Sequence, residues 1–238
     1  MSLNILMSNN VSIILSTYNE KLSIEFTITE LIKNLPGCEI VVVDDNSPDG
    51  TYEVLKNINY NNLKIFSRKK TKGLASAFLL GLINTRGDVI GWLDSNMGAT
   101  ASKFPEMLKN LSEVDIVILS RYISEGKDER NKIRVIASYC LNKFSKFIFR
   151  SKINDLSSGI FLMKRDVLND VVPVAKGHGE FMMEFLYKAE KKGNKIIEIP
   201  YIQPIDIEEH SKSFPNIAKF IQFGFFYFVR IIQSIISK

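Results

Sequence analysis

Two clusters of oxygen-bearing side chains stand where apolar runs of this chain stop. The first is Val42-Val43-Asp44-Asp45-Asn46-Ser47-Pro48-Asp49-Gly50-Thr51, where two adjacent acids follow a β-branched stretch and precede a turn. Pro48 and Gly50 are what such a turn requires, and one acid can serve it. The second acid must be solvated or used, and a carboxylate there can accept hydrogen bonds from a nucleobase or a ribose. The other cluster is Asp94-Ser95-Asn96, which ends the apolar Val89-Ile90-Gly91-Trp92-Leu93. Its oxygens suit a hard cation: magnesium or manganese held by one or two such groups can bridge the phosphates of a diphosphate and neutralise a leaving group. Asp, Ser and Asn equally favour a helix N-cap or a turn, so this segment taken alone leaves both uses open.

Both clusters need a scaffold that brings strand ends to one rim. Short β-rich runs at Val11–Ser16, Glu39–Val43, Leu63–Ser67, Asp88–Leu93 and Asp115–Leu119 alternate with helix-patterned segments at Glu20–Asn34, Thr51–Asn57, Lys72–Asn84 and Lys103–Glu113. That alternation predicts an α/β fold with a mostly parallel, Rossmann-like sheet and helices on both faces. Ligands of such sheets bind beyond the carboxyl ends of the strands, so the residues after Ser16, Val43, Leu93 and Leu119 are the ones to examine. After Arg121 the texture changes to a polar loop, a basic aromatic helix running to about Phe149, Asp155-Leu156-Ser157-Ser158-Gly159 and a short apolar strand. A helix at Glu180–Lys192 and a strand at Lys195–Ile199 follow. We expect one domain over 11–212, with a ligand-binding half at 11–121 and a second functional half at 122–212, and an amphipathic helix at 213–238.

Composition narrows the choices. The 238 residues are 45% hydrophobic and 24% charged, which is ordinary for a soluble globular chain able to bury a large core. A net charge of +5 is concentrated at Lys132, Arg134, Lys143, Lys146, Arg150 and Lys152, which suits an anionic partner or a solvated helix face. No recognition motif accompanies this charge, so nucleic acid is not expected. Cys38 and Cys140 form no metal or redox spacing. Met1 to Asn10 lack the pattern of a signal peptide, and no apolar run reaches the length of a spanning helix. The absence of G-x-G-x-x-G, of G-x-x-x-x-G-K-[ST] and of G-x-S-x-G disfavours dinucleotide dehydrogenases, P-loop enzymes and α/β hydrolases. His178 and His210 have no spacing partner and read as surface residues; Glu180 and Glu184 lie on one helix as possible bases.

Several motifs occur together in a family order: Thr17-Tyr18-Asn19-Glu20, the Asp44-Asp45 string, Lys72-Gly73-Leu74-Ala75-Ser76-Ala77, Gly87-Asp88, Asp94-Ser95-Asn96, Ser120-Arg121-Tyr122, Asp155 to Gly159 and Ser211-Lys212. Over roughly Val11 to Lys212 the chain resembles the polyprenyl-phosphate hexosyltransferases of glycosyltransferase family 2, such as dolichol-phosphate mannose synthases. The resemblance implies a GT-A fold and inverting transfer of a hexose, mannose or glucose, from a GDP- or UDP-sugar to a polyprenyl phosphate. It implies that Thr17, Tyr18, Glu20, Asp44, Asp45, Lys72, Gly73 and Asp94 hold the nucleotide sugar, that Asp94 and Asn96 hold Mg²⁺ or Mn²⁺, and that Arg121, Arg134 and Lys212 meet donor or acceptor phosphates. An acceptor that is already anionic needs positioning and screening rather than a general base.

The chain departs from that family pattern at Asn96, where a second aspartate is usual, at Gly98, where Gln is frequent, and at Phe161, where Arg is frequent. Ile205 to His210 is acidic where an Arg and a Gly are common. These departures keep open a transfer to a glycan or protein hydroxyl, or a silent nucleotide-sugar-binding module. From Phe214 onward, Asn216, Lys219, Gln222, Arg230, Gln233 and Ser237 fall near one helical stripe and leave a broad apolar face. Such a helix can lie in a membrane interface or pack on the domain or on a second subunit as a homo-oligomer contact. The cations interleaved with Phe144, Phe147, Ile148 and Phe149 favour a peripheral, cytosolic-face membrane association.

Overall fold

A computed structural model of the chain describes residues 10–70, 72–205 and 226–233. The elements run β1 (Val11–Thr17), α1 (Ile24–Asn34), β2 (Glu39–Asp44), α2 (Thr51–Asn57), β3 (Leu63–Ser67), α3 (Leu74–Ile83), β4 (Val89–Trp92), α4 (Phe104–Asn110), β5 (Ile116–Ser120), β6 (Lys127–Asp128), α5 (Lys132–Phe149), β7 (Phe161–Lys164), α6 (Glu180–Lys191), β8 (Ile196–Pro200) and β9 (Ile202–Gln203). Residues 226–233 form a further helix, α7.

Seven strands make one sheet in the order β3-β2-β1-β4-β7-β5-β8. Every neighbouring pair is parallel except those made by β7, which runs antiparallel between β4 and β5. The fold is therefore α/β with a mostly parallel sheet, as the alternating pattern implies. β1, β2, β4 and β5 are buried almost throughout, the continuous apolar texture expected of strands covered on both faces. One core layer joins Ile13, Leu15 and Val42 to α1 and α4. The other joins Ile14, Trp92 and Phe161 to α3, α5 and α6, and includes a Phe78–Trp92 stack with centroids 4.4 Å apart.

The strands lie within a residue or so of the sequence expectation, while two helices begin later than expected. Asn19 adopts φ 57°, and the Glu20 carbonyl accepts the N–H groups of Ser23 and Ile24. Tyr18-Asn19-Glu20 is thus a turn, and α1 starts only at Ile24. Gly73 with φ 130° likewise delays α3 to Leu74. The sheet takes strands from both sides of Arg121, so the expected halves share one scaffold. Among the described residues no helix is long and apolar enough to cross a membrane.

Candidate active site

Parallel strands β1, β2 and β4 deliver their carboxyl ends to a single rim, and the residues just past them divide the labour. Asp44 is wholly buried. Its carboxylate accepts from Thr17 Oγ1 at 3.0 Å and Ser47 N at 3.0 Å, and also from Ser47 Oγ. Thr17 and Asp44 thereby hold each other and the β2 turn.

Asp45 is held just as firmly. Its Oδ1 accepts from Arg68 Nε at 2.7 Å and from Arg68 Nη2, and its Oδ2 accepts from Gly73 N at 2.8 Å. Arg68 also donates to Ser76 Oγ and to the Gly73 carbonyl. This latch fixes the segment that carries Lys72, whose Nζ sits 4.6 Å from the centre of the Tyr18 ring. Tyr18 is 42% exposed. Arg68 was not among the sequence candidates, although it follows β3 at the same rim and its N–H bonds the Asp44 carbonyl. Applying the strand-end rule to β3 as well would have found it.

Two strand positions further on, Asp94 lies half-buried after β4 with Asn96 exposed beside it. No ion pair reaches the Asp94 carboxylate among the described residues. Burial and then the negative charge of Glu20 push its pKa up to about 6, against the pull of Arg121 and Arg130. Glu20 is thus close enough to be felt by Asp94, while its own carboxylate accepts from Ser23 Oγ at 2.7 Å. Gly98 has no room for the family's longer side chain, since a Cβ there would meet the Thr27 backbone at 2.8 Å. Phe161 is fully buried and 5.9 Å from Phe78 between ring centres, so its position belongs to the core.

Asp94 lines a cavity of about 340 Å³ together with Arg121, Arg130 and Arg134, over a floor that includes Trp92 and Phe181. Arg121 is 6% exposed and binds Asp155 through both Nε (2.8 Å) and Nη2 (2.7 Å), with Asp128 3.6 Å from Nη1. Burial works against its charge, but the Asp155 carboxylate outweighs this and raises the Arg121 pKa above the ordinary arginine value. Arg130 forks onto Asp128 at 2.8 and 2.6 Å. The cavity therefore has an acid on one side and guanidinium groups preset by buried carboxylates on the other. Asp45 does not line it; Gly73, its hydrogen-bond partner, adjoins Leu74, which does.

Several cavity residues escaped the sequence reading, three of them able to bear on its chemistry. Arg130 sits in the polar loop; its place follows from the pairing of β6 with β9. His178, expected at the surface, lines the cavity, and burial lowers its pKa. Tyr227 comes from α7 and packs so close to Gly179 that a Cβ there would lie 2.2 Å from its hydroxyl. Glu180 and Glu184 are both buried; Glu180 accepts from His178 N, and Glu184 pairs with Lys188 and Arg230. Lys212, Ser211 and the acidic stretch 206–210 lie outside the described residues.

A divalent ion fits this donor set only as a shared ligand. Among the described residues no three His, Cys, Asp or Glu side chains cluster as a metal cage. The Asp94 carboxylate, which has no ion pair among the described residues, suits a cation that takes its remaining ligands from phosphates and water, whereas Asn96 does not line the cavity.

Residues 12–172 match the family model described as glycosyl transferase family 2. The chain belongs to glycosyl transferase family 2. A dolichol-phosphate mannosyltransferase of Pyrococcus furiosus is 31% identical over 210 residues, covering 85% of this chain and 58% of that protein. An undecaprenyl-phosphate mannosyltransferase of Micrococcus luteus is 25% identical over 196 residues, covering 79% and 80% respectively. The chain thus spans less than two thirds of the Pyrococcus relative. In fold it is similar to glucosyl-3-phosphoglycerate synthase of Mycobacterium tuberculosis solved with UDP, with a TM-score of 0.71 at 14% identity over 96% of this chain and 82% of that one. The same synthase solved with Mn²⁺, UDP and glucosyl-3-phosphoglycerate gives 0.69 at 15% identity over 96% and 82%. These likenesses show the GT-A fold of this family 2 member.

Proposed function

We propose that the protein is an inverting hexosyltransferase that moves mannose or glucose from a GDP- or UDP-sugar to a polyprenyl phosphate. The observation that carries this reading is the single cavity in which Asp94 faces Arg121, Arg130 and Arg134. The relatives named above as polyprenyl-phosphate mannosyltransferases support the acceptor class. In the reaction an acceptor phosphate oxygen forms a bond to the anomeric carbon as the bond from that carbon to the nucleoside diphosphate breaks. No proton need be removed from a phosphate monoester oxygen near neutral pH, so the demand falls on orientation and charge screening. Asp155 and Asp128 hold the guanidinium groups of Arg121 and Arg130 in place before the anion arrives, and Lys212 adds a further cation in this reading. Asp94 and Asn96 would hold Mg²⁺ or Mn²⁺, which would neutralise charge on the departing diphosphate. Tyr18, Glu20, Lys72 and the Asp45 latch frame the nucleoside end, and the two functional halves meet at Arg121. The reaction would run at the cytosolic face of a membrane.

His178 favours a second reading. Its half-buried imidazole lines the cavity, burial lowers its pKa, and in its neutral form it could take a proton from a sugar or protein hydroxyl. Labelled GDP- and UDP-sugars, supplied with and without Mn²⁺, separate the two. Label passing into organic-extractable polyprenyl phosphate supports the first; label confined to aqueous glycan or protein products supports the second and overturns the first.

A further inference from the structure

The side chain two residues before Asp94 faces the same way. Trp92 ends β4 and belongs to the core layer that holds α3 and α6, while the intervening Leu93 belongs to the other layer, the alternation that a strand imposes. Trp92 is the chain's only tryptophan and is 2% exposed. Phe78, Phe181 and Phe161, with ring centres 4.4, 5.4 and 6.5 Å away, fix its orientation. Its apolar surface is therefore met by the core. Its one polar atom is not: the buried Nε1–H makes no hydrogen bond of ordinary geometry among the described residues. It nevertheless stands near enough to the Asp94 carboxylate to pull that group's pKa down against its burial. Both side chains line the cavity, Trp92 beside Phe181.

A buried donor without an acceptor destabilises the empty cavity, and an oxygen delivered to it removes that cost. The neighbouring charge decides which oxygen. Trp92 offers a donor and Asp94 an acceptor, a pair complementary to a hydroxyl group, which accepts and donates at once. A phosphate oxygen would only accept, and would set its charge against the carboxylate; anions have Arg121, Arg130 and Arg134 in the same cavity. A carboxylate has about four lone-pair sites, so Asp94 can take a hydroxyl and still share a cation. We propose that Trp92 is a specificity-determining residue whose indole N–H donates to a ring hydroxyl of the sugar being transferred, while Asp94 accepts from that same hydroxyl. The indole edge thus reads the hydroxylated pyranose and not the nucleotide. The inference deepens the proposed function and rests on its donor class, a nucleoside diphosphate sugar.

Because the chain has one tryptophan, its indole N–H gives a single peak in a proton–nitrogen correlation spectrum of the full chain, and the first test needs no variant. With Mg²⁺ present, a GDP- or UDP-sugar that binds by calorimetry should move that proton downfield, whereas GDP, UDP and inorganic phosphate should leave it near its free position. Replacing tryptophan throughout by benzothienylalanine keeps the fused ring and puts sulfur in place of the N–H. It should weaken nucleotide-sugar binding about tenfold and leave nucleoside diphosphate binding within about twofold. An unmoved peak in a sugar-bound complex would overturn the proposal. So would a peak already downfield in the free protein and unchanged by ligands, which would give the N–H to Asp94, or an equal shift with the bare diphosphate or phosphate, which would give it to an anion. If no GDP- or UDP-sugar binds the wild type, the donor reading fails and takes this inference with it. Sugar binding with a silent indole leaves that reading standing and removes this inference alone.

Discussion

The two ends of the strand rim treat their acids in opposite ways. At the β2 end, Asp45 receives three hydrogen bonds from Arg68 and Gly73, and the Arg68–Asp45 pair is 9% and 11% exposed. At the β4 end, Asp94 has no ion pair among the described residues, and Glu20 adds repulsion rather than relief. A buried pair is costly to break from one side, whereas an acid with no ion pair of its own, beside a like charge, favours a cation that reaches it. The comparison teaches that adjacent motifs on one rim meet different surroundings: the β2 acids are tied into the frame, and the β4 acid, which the proposed function gives to a ligand, has no ion pair among the described residues.

The sharpest way to break that contrast is to remove each acid and read both rate and stability. Asp94→Asn should lower transfer on the order of a thousandfold in a steady-state assay of labelled product, and chelation of divalent ions should lower the wild-type rate in the same assay. Asp45→Ala should act mainly on the fold, costing about 3 kcal/mol in urea unfolding, because it strands Arg68 in a buried site. Arg68→Ala combined with it should cost less than the sum of the two single changes. Arg134→Gln sharpens the picture on the cavity side: the KM for a soluble prenyl phosphate should rise about tenfold while that for the donor stays put, the loss expected of one charge-assisted contact. The smallest effect belongs to His178→Ala, where turnover with a phosphate acceptor should stay within about twofold, since no base is needed. A collapse of turnover there would favour a hydroxyl acceptor.

Much of the scaffold is legible in the chain because strand burial on both faces leaves a plain signature, and the rim residues follow from where each apolar run ends. Asp94 and Arg121 could be placed on that ground. The insertion of β7 between β4 and β5 could not, since four apolar residues say nothing about their neighbours. The latch on Asp45 was hidden because Arg68 is 23 residues away and looks like one more surface cation beside Lys69 and Lys70. Tyr227 and His178 reach the cavity only through the docking of α7 and the approach to α6. Contacts of that kind depend on three-dimensional closure rather than on local pattern.

Thermal unfolding of Asp94→Asn beside the wild type, each with and without Mn²⁺ and nucleoside diphosphate, bears most directly on the claim that this acid is kept for a ligand. The unliganded midpoint should match or exceed the wild type, and the rise produced by the ligands in the wild type should vanish. A clear fall in the unliganded midpoint with the ligand-induced rise intact would mean that Asp94 supports the fold and that the ligands bind elsewhere.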